Sequence, residues 1–283
     1  MESATLDALG TGHCARADAV TLPHQWRRGP GPLLRLFWYD DKPNFGDRLN
    51  PWLARRLGFW PRRASLVQAD VIAVGSVLDG LPSSSTSRIW GAGLMTADGA
   101  PPSIPAGRIL AVRGKSTRDL LGACGSVALG DPGLLVGHFA SRLPQRYSVG
   151  LVPHLSHRGG ATFRTFANSV PGSVLVDVTA SPKKVIRTLS QCGCVVTSSL
   201  HGLVVADSLG IPATWVMPDP VISGGDFKFL DYLSVFGEQR ARRTDIDDLS
   251  LGRLNLGTVS ASLVQSIQVG LLAQVPKFTS TRA

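Results

Sequence analysis

The chain has 283 residues, 43% of them hydrophobic and 17% charged, with a formal net charge of +9. Its length suits two domains of roughly 140 residues each, and its composition suits a sizeable core. The four cysteines exclude a disulfide scaffold and argue against a zinc site; the basic surplus fits an anionic partner, yet no block of five like charges and no basic stretch with interleaved aromatics points to nucleic acid.

Met1 to Val20 is mixed and polar, without a basic segment leading into a continuous apolar stretch. It reads as a tail and not as a signal peptide, running to Arg27-Arg28-Gly29-Pro30. No run of 18 apolar residues occurs, so no membrane-spanning helix is expected and the protein is read as cytoplasmic. Leu33 to Tyr39, Val71 to Val74, Arg88 to Trp90 and Ile109 to Val112 are short apolar runs closed by glycine or polar residues. Such runs suit buried parallel strands. Helical stretches lie between them, at Asp47 to Leu57 and Ser116 to Leu121.

The pattern restarts with Ser148 to Val152, Ser173 to Val178, Val195-Val196 and Ala213 to Met217. Ser181-Pro182 is a helix start with proline at the first helical position. Gly210 closes a helix over Leu200 to Leu209. Cys14 and Cys124 stand alone, while Cys192 and Cys194 read as small residues leading into a buried strand. Two series of alternating strands and helices predict an α/β chain: a tail over 1–30 and two Rossmann-like domains, 31–145 and 146–283, facing a cleft. The boundary is placed at Ala140 to Arg146.

In open parallel sheets, ligands bind beyond the carboxyl ends of the strands. Thr197-Ser198-Ser199-Leu200-His201-Gly202 follows a strand and opens a helix. Its serines can cap that helix, its free N–H groups can hold an anion, and His201 would be aimed at the anion. The plainer reading is an N-cap with an incidental histidine. Arg113, ending a strand in Val112-Arg113-Gly114-Lys115-Ser116, can pair with a carboxylate or phosphate, or simply sit at the surface. Asp131 in Gly130-Asp131-Pro132-Gly133 sits in a turn by composition. Asp47, after Asn44-Phe45-Gly46, either caps a helix or faces the cleft. Gly91-Ala92-Gly93-Leu94-Met95-Thr96 has threonine where a dinucleotide fingerprint needs glycine or alanine, and NAD is discounted. Neither a P-loop nor a G-x-S-x-G elbow is present.

Taken in order, several short motifs resemble the polysaccharide pyruvyltransferase family. They are Asn44-Phe45-Gly46-Asp47, Val74-Gly75-Ser76-Val77-Leu78, Trp90-Gly91-Ala92-Gly93, Val112-Arg113-Gly114, Gly130-Asp131-Pro132-Gly133-Leu134-Leu135, Val152-Pro153-His154, Ser198-Ser199-Leu200-His201-Gly202 and Phe227-Lys228-Phe229-Leu230-Asp231-Tyr232. The likeness implies a fold similar to two-domain GT-B glycosyltransferases and transfer of pyruvate from phosphoenolpyruvate to a sugar as a cyclic ketal. It implies no cofactor, and as partners phosphoenolpyruvate and a polysaccharide or lipid-linked oligosaccharide acceptor. It also implies that Arg113 and His201 contact the donor. Some relatives carry an arginine two positions before the histidine, where this chain has Ser199. Lys115, Lys228, His154 or Arg158 are the cations expected to stand in. His201 is the expected phosphate contact and acid, Asp47 the expected base, and Asp131 its rival.

Two other readings share this pattern. A GT-B glycosyltransferase would need an acidic residue for a donor ribose, such as Asp219 or Asp226, and a non-catalytic scaffold would tolerate loss of His201. Finally, Pro51 to Arg63 combines Trp52, Phe59 and Trp60 with Arg55, Arg56, Arg62 and Arg63. This segment either rests on an anionic membrane surface or turns its apolar side chains into the core.

Overall fold

The computed structural model describes residues 31–123, 127–237, 243–245 and 250–279. The expected tail, Cys14 and Cys124 lie outside them. In chain order the first half carries β1 (Leu33–Leu36), α1 (Phe45–Arg56), β2 (Trp60–Arg63), β3 (Val71–Ile72), β4 (Arg88–Trp90), β5 (Ile109–Val112), α2 (Lys115–Leu120), β6 (Ala128–Leu129) and α3 (Val136–Phe139). The second carries β7 (Tyr147–Val152), α4 (Ala161–Ser169), β8 (Val174–Leu175), α5 (Pro182–Leu189), β9 (Cys192–Thr197), α6 (Leu200–Ser208), β10 (Ala213–Trp215), α7 (Phe227–Leu233) and α8 (Ala261–Leu272).

These strands form two parallel sheets, in the orders β2-β1-β3-β4-β5-β6 and β10-β9-β7-β8. The second, read from its other edge, is β8-β7-β9-β10. Each sheet therefore reverses its strand order between its first and third strands, and a ligand crevice opens at such a point. The segments beyond the four strands concerned are Asn44–Asp47 after β1, Gly75-Ser76 after β3, His154 after β7, and Ser198–His201 after β9.

The elements follow from the residues. All of β5 is buried, as its apolar run requires. Ser181 caps α5 by accepting from Lys184 N, with Pro182 behind it. β1 stops at Leu36, short of the expected Tyr39. β2 escapes the sequence pattern because Trp-Pro-Arg-Arg is neither apolar nor alternating; it lies at the sheet edge, where a proline is tolerated.

α6 is apolar on every side, so it must be buried all round. Leu203, Val204, Val205 and Ala206 are fully buried. The helix runs between the sheets against the turn Pro132–Leu135 and α3. Glycines allow that approach: a Cβ on Gly137 would lie 1.9 Å from Ser208 O, and one on Gly133 2.8 Å from Val204 Cγ1. One core cluster joins Leu34 and Leu53 of the first half to Leu203 and Trp215 of the second. α8 crosses back to lie beside β6, where Trp90 Nε1 donates to Leu271 O at 3.0 Å.

Candidate functional site

The carboxyl ends of both sheets converge on the N-terminus of α6. His201 stands in its first turn, 13% exposed, with Nε2 3.9 Å from Asp131 Oδ2. Neither of those two atoms has a hydrogen-bond partner. Asp131 is fully buried and caps the following turn, its Oδ1 accepting from Gly133 N at 2.7 Å. Its second oxygen is thus left for the histidine. The start of α1 closes on the other side of the ring. A Cβ at Gly46 would stand 2.3 Å from His201 Nδ1, so only glycine fits there with the imidazole in this position. Phe45 N also donates to Val178 O at 2.9 Å, tying α1 to the second half.

Asp47 follows Gly46, half-buried, as the third residue of α1. Asn44 accepts from Gly46 N and donates to Asp47 Oδ2 at 2.8 Å, a reciprocal cap. Asn44, and not Asp47, is therefore the N-cap, and Asp47 braces the helix start only by accepting from the Asn44 side chain.

Burial sets the proton affinities. Desolvation pushes Asp47 and Asp131 each up to about 6. The hydrogen bonds from Asn44 and from Gly133 oppose that rise, and Arg113 opposes it at Asp131. Desolvation, with Lys228, Arg113 and His154 nearby, pushes His201 down to about 3. Desolvation likewise lowers His154 to about 4, aided by Lys228 and His157, and Lys228 to about 8, aided by Arg113. At neutral pH the site holds neutral imidazoles, ionised carboxylates with unusually high affinity for a proton, and one buried ammonium.

Lys228 lies on α7, almost fully buried, with Nζ donating to Ser223 O at 3.1 Å. Its charge is felt at both His201 and His154. Of the cations expected to stand in for the arginine missing at Ser199, Lys228 and His154 are brought to His201. Lys115 is exposed, its backbone N–H bound to Ser234, and Arg158 is 57% exposed and 3.8 Å from Asp177.

Arg113 is fully buried. Its Nε donates to Asp231 Oδ2 at 2.9 Å, its Nη2 to Leu94 O at 2.6 Å, and its Nη1 to the Ser76 hydroxyl. Asp231 also accepts from Thr117 N at 2.8 Å and the Thr117 hydroxyl at 2.7 Å. All three guanidinium nitrogens are thus engaged by protein, and the pair rivets α7 to the ends of β5 and α2. Gly93 and Gly114 make the close approach feasible: a Cβ would come within 2.4 Å of the guanidinium carbon and 1.8 Å of Asp231 O, respectively.

The serines do not act as side-chain caps. Ser199 is the N-cap residue of α6 by backbone position, but its side chain makes no cap bond. Ser198 accepts from His154 N at 2.8 Å and faces His157 Nδ1 at 2.9 Å. His157 Nε2 lies 2.9 Å from Pro220 O, a carbonyl that can only accept. The Nε2–H tautomer follows, so the Ser198 hydroxyl donates to Nδ1. Local capping falls to Thr197, whose hydroxyl accepts from Ser199 N at 2.9 Å. The first-turn N–H groups, at Leu200 and His201, are left uncapped by either serine. Sequence reasoning missed Asp231, Ser76 and His157. Ser76 and Asp231 lie within quoted motifs, and Asp231 gave a further signal as a carboxylate one turn after a lysine in an otherwise apolar helix.

The model of a family described as polysaccharide pyruvyl transferase matches residues 108–220, which hold Arg113, Asp131, His154 and His201. The uncharacterized protein L143 of Acanthamoeba polyphaga mimivirus is 33% identical over 214 residues, 70% of this chain and 72% of that protein. The succinoglycan biosynthesis protein ExoV of Rhizobium meliloti (strain 1021) is 28% identical over 220 residues, 74% of this chain and 67% of that protein.

Proposed function

The chain belongs to the polysaccharide pyruvyl transferase family, and from that premise we propose that it moves the pyruvyl group of phosphoenolpyruvate onto two hydroxyls of an exopolysaccharide sugar, closing a cyclic ketal. The observation that carries this reading is the His201–Asp131 pair. Two buried groups 3.9 Å apart, unpartnered at the facing atoms, stand at an anion-attracting helix start beside the Lys228 ammonium.

The donor brings a carboxylate and a phosphate. Lys228 and the first N–H groups of α6 supply positive potential for them. Burial is the main cause of the low proton affinity of His201, and the arriving negative charge offsets the further lowering by Lys228 and Arg113, so that affinity rises on binding and His201 can carry a proton to the donor's methylene carbon. That protonation makes C2 electrophilic. A sugar hydroxyl adds to C2 and gives its proton to Asp47. The C2–O bond to phosphate breaks with its electron pair, and the second hydroxyl closes the ring. Of the two hydroxyl protons lost, one balances the new methyl C–H and the other leaves with phosphate or solvent. Asp131, with Oδ2 3.9 Å from Nε2, is placed to stabilise the charged form of the imidazole. Arg113, held by Asp231, positions α7 and hence Lys228. The chemistry draws on donor and side chains, with no cofactor.

Two sheets with reversal points turned to one site support a GT-B-like arrangement. A rival glycosyltransferase would want a ribose-holding carboxylate; Asp226 is paired with Arg243, which leaves the exposed Asp219 as its candidate. The acceptor is proposed to be a polysaccharide or its lipid-linked precursor, met at the inner face of the cell membrane. α1 turns Leu53 into the core, its C-cap Leu57 follows, and Trp52 lies edge-on to Phe139. Trp60 remains 60% exposed, in register with the exposed Leu33, while Arg62 is in register with Arg35. This sheet edge, with Arg55 and Arg56 beyond it, is the proposed contact with anionic lipid. Thermal unfolding tests the donor assignment. Phosphoenolpyruvate at 100 times its dissociation constant should add about 2.7 kcal/mol, and nucleotide sugars should add nothing; the reverse result defeats the reading.

A further inference from the structure

The opposite end of the first sheet carries a recess lined by polar residues. Arg88 opens β4 and Arg108 immediately precedes β5, so both lie at amino ends of strands whose carboxyl ends reach the site above. From Arg108 to Arg113 the chain runs along β5, roughly 17 Å at about 3.3 Å per residue. A molecule held there does not touch His201. The recess is a cavity of about 570 Å³ lined by Ser83, Ser84, Ser85, Thr86, Arg88, Gly107 and Arg108. That volume lies within the range of small-molecule sites. Among the described residues, its lining has hydroxyls and guanidinium groups and no carboxylate or large apolar side chain.

The serine-rich loop is fixed by every second residue. Ser85 and Ser87 are buried; Ser85 Oγ lies 2.8 Å from Leu66 O, and Ser87 Oγ 2.7 Å from Ala69 O. Ser84 and Thr86 alternate with them and are exposed, as is Ser83. Arg108 is anchored by Nη1 on Ser85 O, and Arg88 by Nη1 on Phe278 O at 3.3 Å. Two anchored cations and a row of outward hydroxyls are thus held in place before any ligand arrives, which lowers the ordering cost of binding.

We infer that this recess binds a saccharide bearing an oxyanion, with Arg108 on the anionic group and Ser83, Ser84 and Thr86 on sugar hydroxyls. The inference rests in part on the proposed function: a pyruvyl ketal leaves a carboxylate on the sugar, so the product is itself a saccharide of this chemistry. A phosphorylated saccharide shares it.

Titration calorimetry on the full chain tests the site with three probes: 4,6-pyruvylated methyl galactoside, galactose 6-phosphate and methyl galactoside. The two anionic probes should bind and the neutral one should bind at least about tenfold more weakly, the worth of a charge-assisted contact. Arg108→Gln and the exposed double variant Ser84→Ala/Thr86→Ala should each weaken anionic binding, the former by about tenfold or more. Lys228→Met should leave it intact, and transfer to a monosaccharide acceptor should be unchanged in Arg108→Gln. The stronger of the two anionic probes tells a carboxylate source from a phosphate source. Equal binding by parent and Arg108→Gln, loss of binding in Lys228→Met alone, or equal affinity for the neutral glycoside would overturn the assignment. If pyruvyl transfer itself proves absent while the Arg108-dependent binding persists, the proposed function fails and the recess stands.

Discussion

The two halves bring opposite chemistry to one place. From the first come carboxylates, Asp47 and Asp131, each raised to about 6. From the second come His154, His201 and Lys228, lowered to about 4, 3 and 8. Desolvation is the leading cause on both sides, and it favours the uncharged form of every group. One exchange breaks the pattern: the first half's Arg113 is neutralised by the second half's Asp231. A cation matched by a carboxylate and fully buried serves to hold the halves in register, whereas unmatched groups with a poised proton are suited to catalysis.

Arg113→Ala should give the largest effect. It strands Asp231 without its partner in a buried position and should cost about 3–5 kcal/mol of stability, read by chemical denaturation. A variant of unchanged stability with only a raised KM for the donor would instead mark Arg113 as a direct ligand. His201→Ala should leave the fold intact and lower turnover at least ~10²-fold; Gly46→Ala, which drives a methyl into the ring, should approach the same loss by displacing it.

The pH profile sharpens the contrast. Asp47 must be ionised to accept a proton, so kcat/KM should fall below about 6. Lys228 must be protonated to attract the donor, so it should also fall above about 8. Asp47→Asn should abolish most of the rate, while the residual activity keeps an acid limb from Asp131 and an alkaline limb from Lys228. Stability should move the other way at Asp131. Its folded proton affinity lies above the ordinary value of 3.8, so its favourable contribution is complete below that value and lost as pH rises through about 6. Asp131→Asn should therefore raise Tm at pH 7.5, by roughly 2–4 °C for each kcal/mol recovered, and the gain should vanish below pH 4, while activity drops.

The smallest effect concerns the membrane edge. Replacing Arg55, Arg56, Arg62 and Arg63 with glutamine should reduce co-sedimentation with anionic vesicles, each arginine contributing up to about 1 kcal/mol near the surface. Added salt should weaken the parent's binding, and equal sedimentation of parent and variant would remove this edge from consideration.

Much of this was legible from residues alone. β4 and β5 fall where their apolar runs begin and end, and the strand-to-helix turn at Ser198–His201 lies where the sequence places it, between β9 and α6. β2 was hidden because an edge strand need not be apolar. The fate of Pro51 to Arg63 was not readable because α1 ends at Arg56, and the side-chain directions before and after that point differ. The Arg113–Asp231 pair spans 118 positions, and no local pattern encodes a contact at that separation. Nor does a sequence tell which serine hydroxyl is consumed: Ser198 was lost to His157, a residue whose own role is visible only when β7 and β9 are set side by side.

The account is tested most directly by mass spectrometry of an exopolysaccharide repeat-unit oligosaccharide incubated with the purified protein and phosphoenolpyruvate. It predicts a mass gain of one pyruvate less one water, release of one equivalent of phosphate, and neither in the His201→Ala variant. An unchanged glycan with phosphoenolpyruvate, together with a sugar increment when a nucleotide sugar is supplied instead, would contradict it.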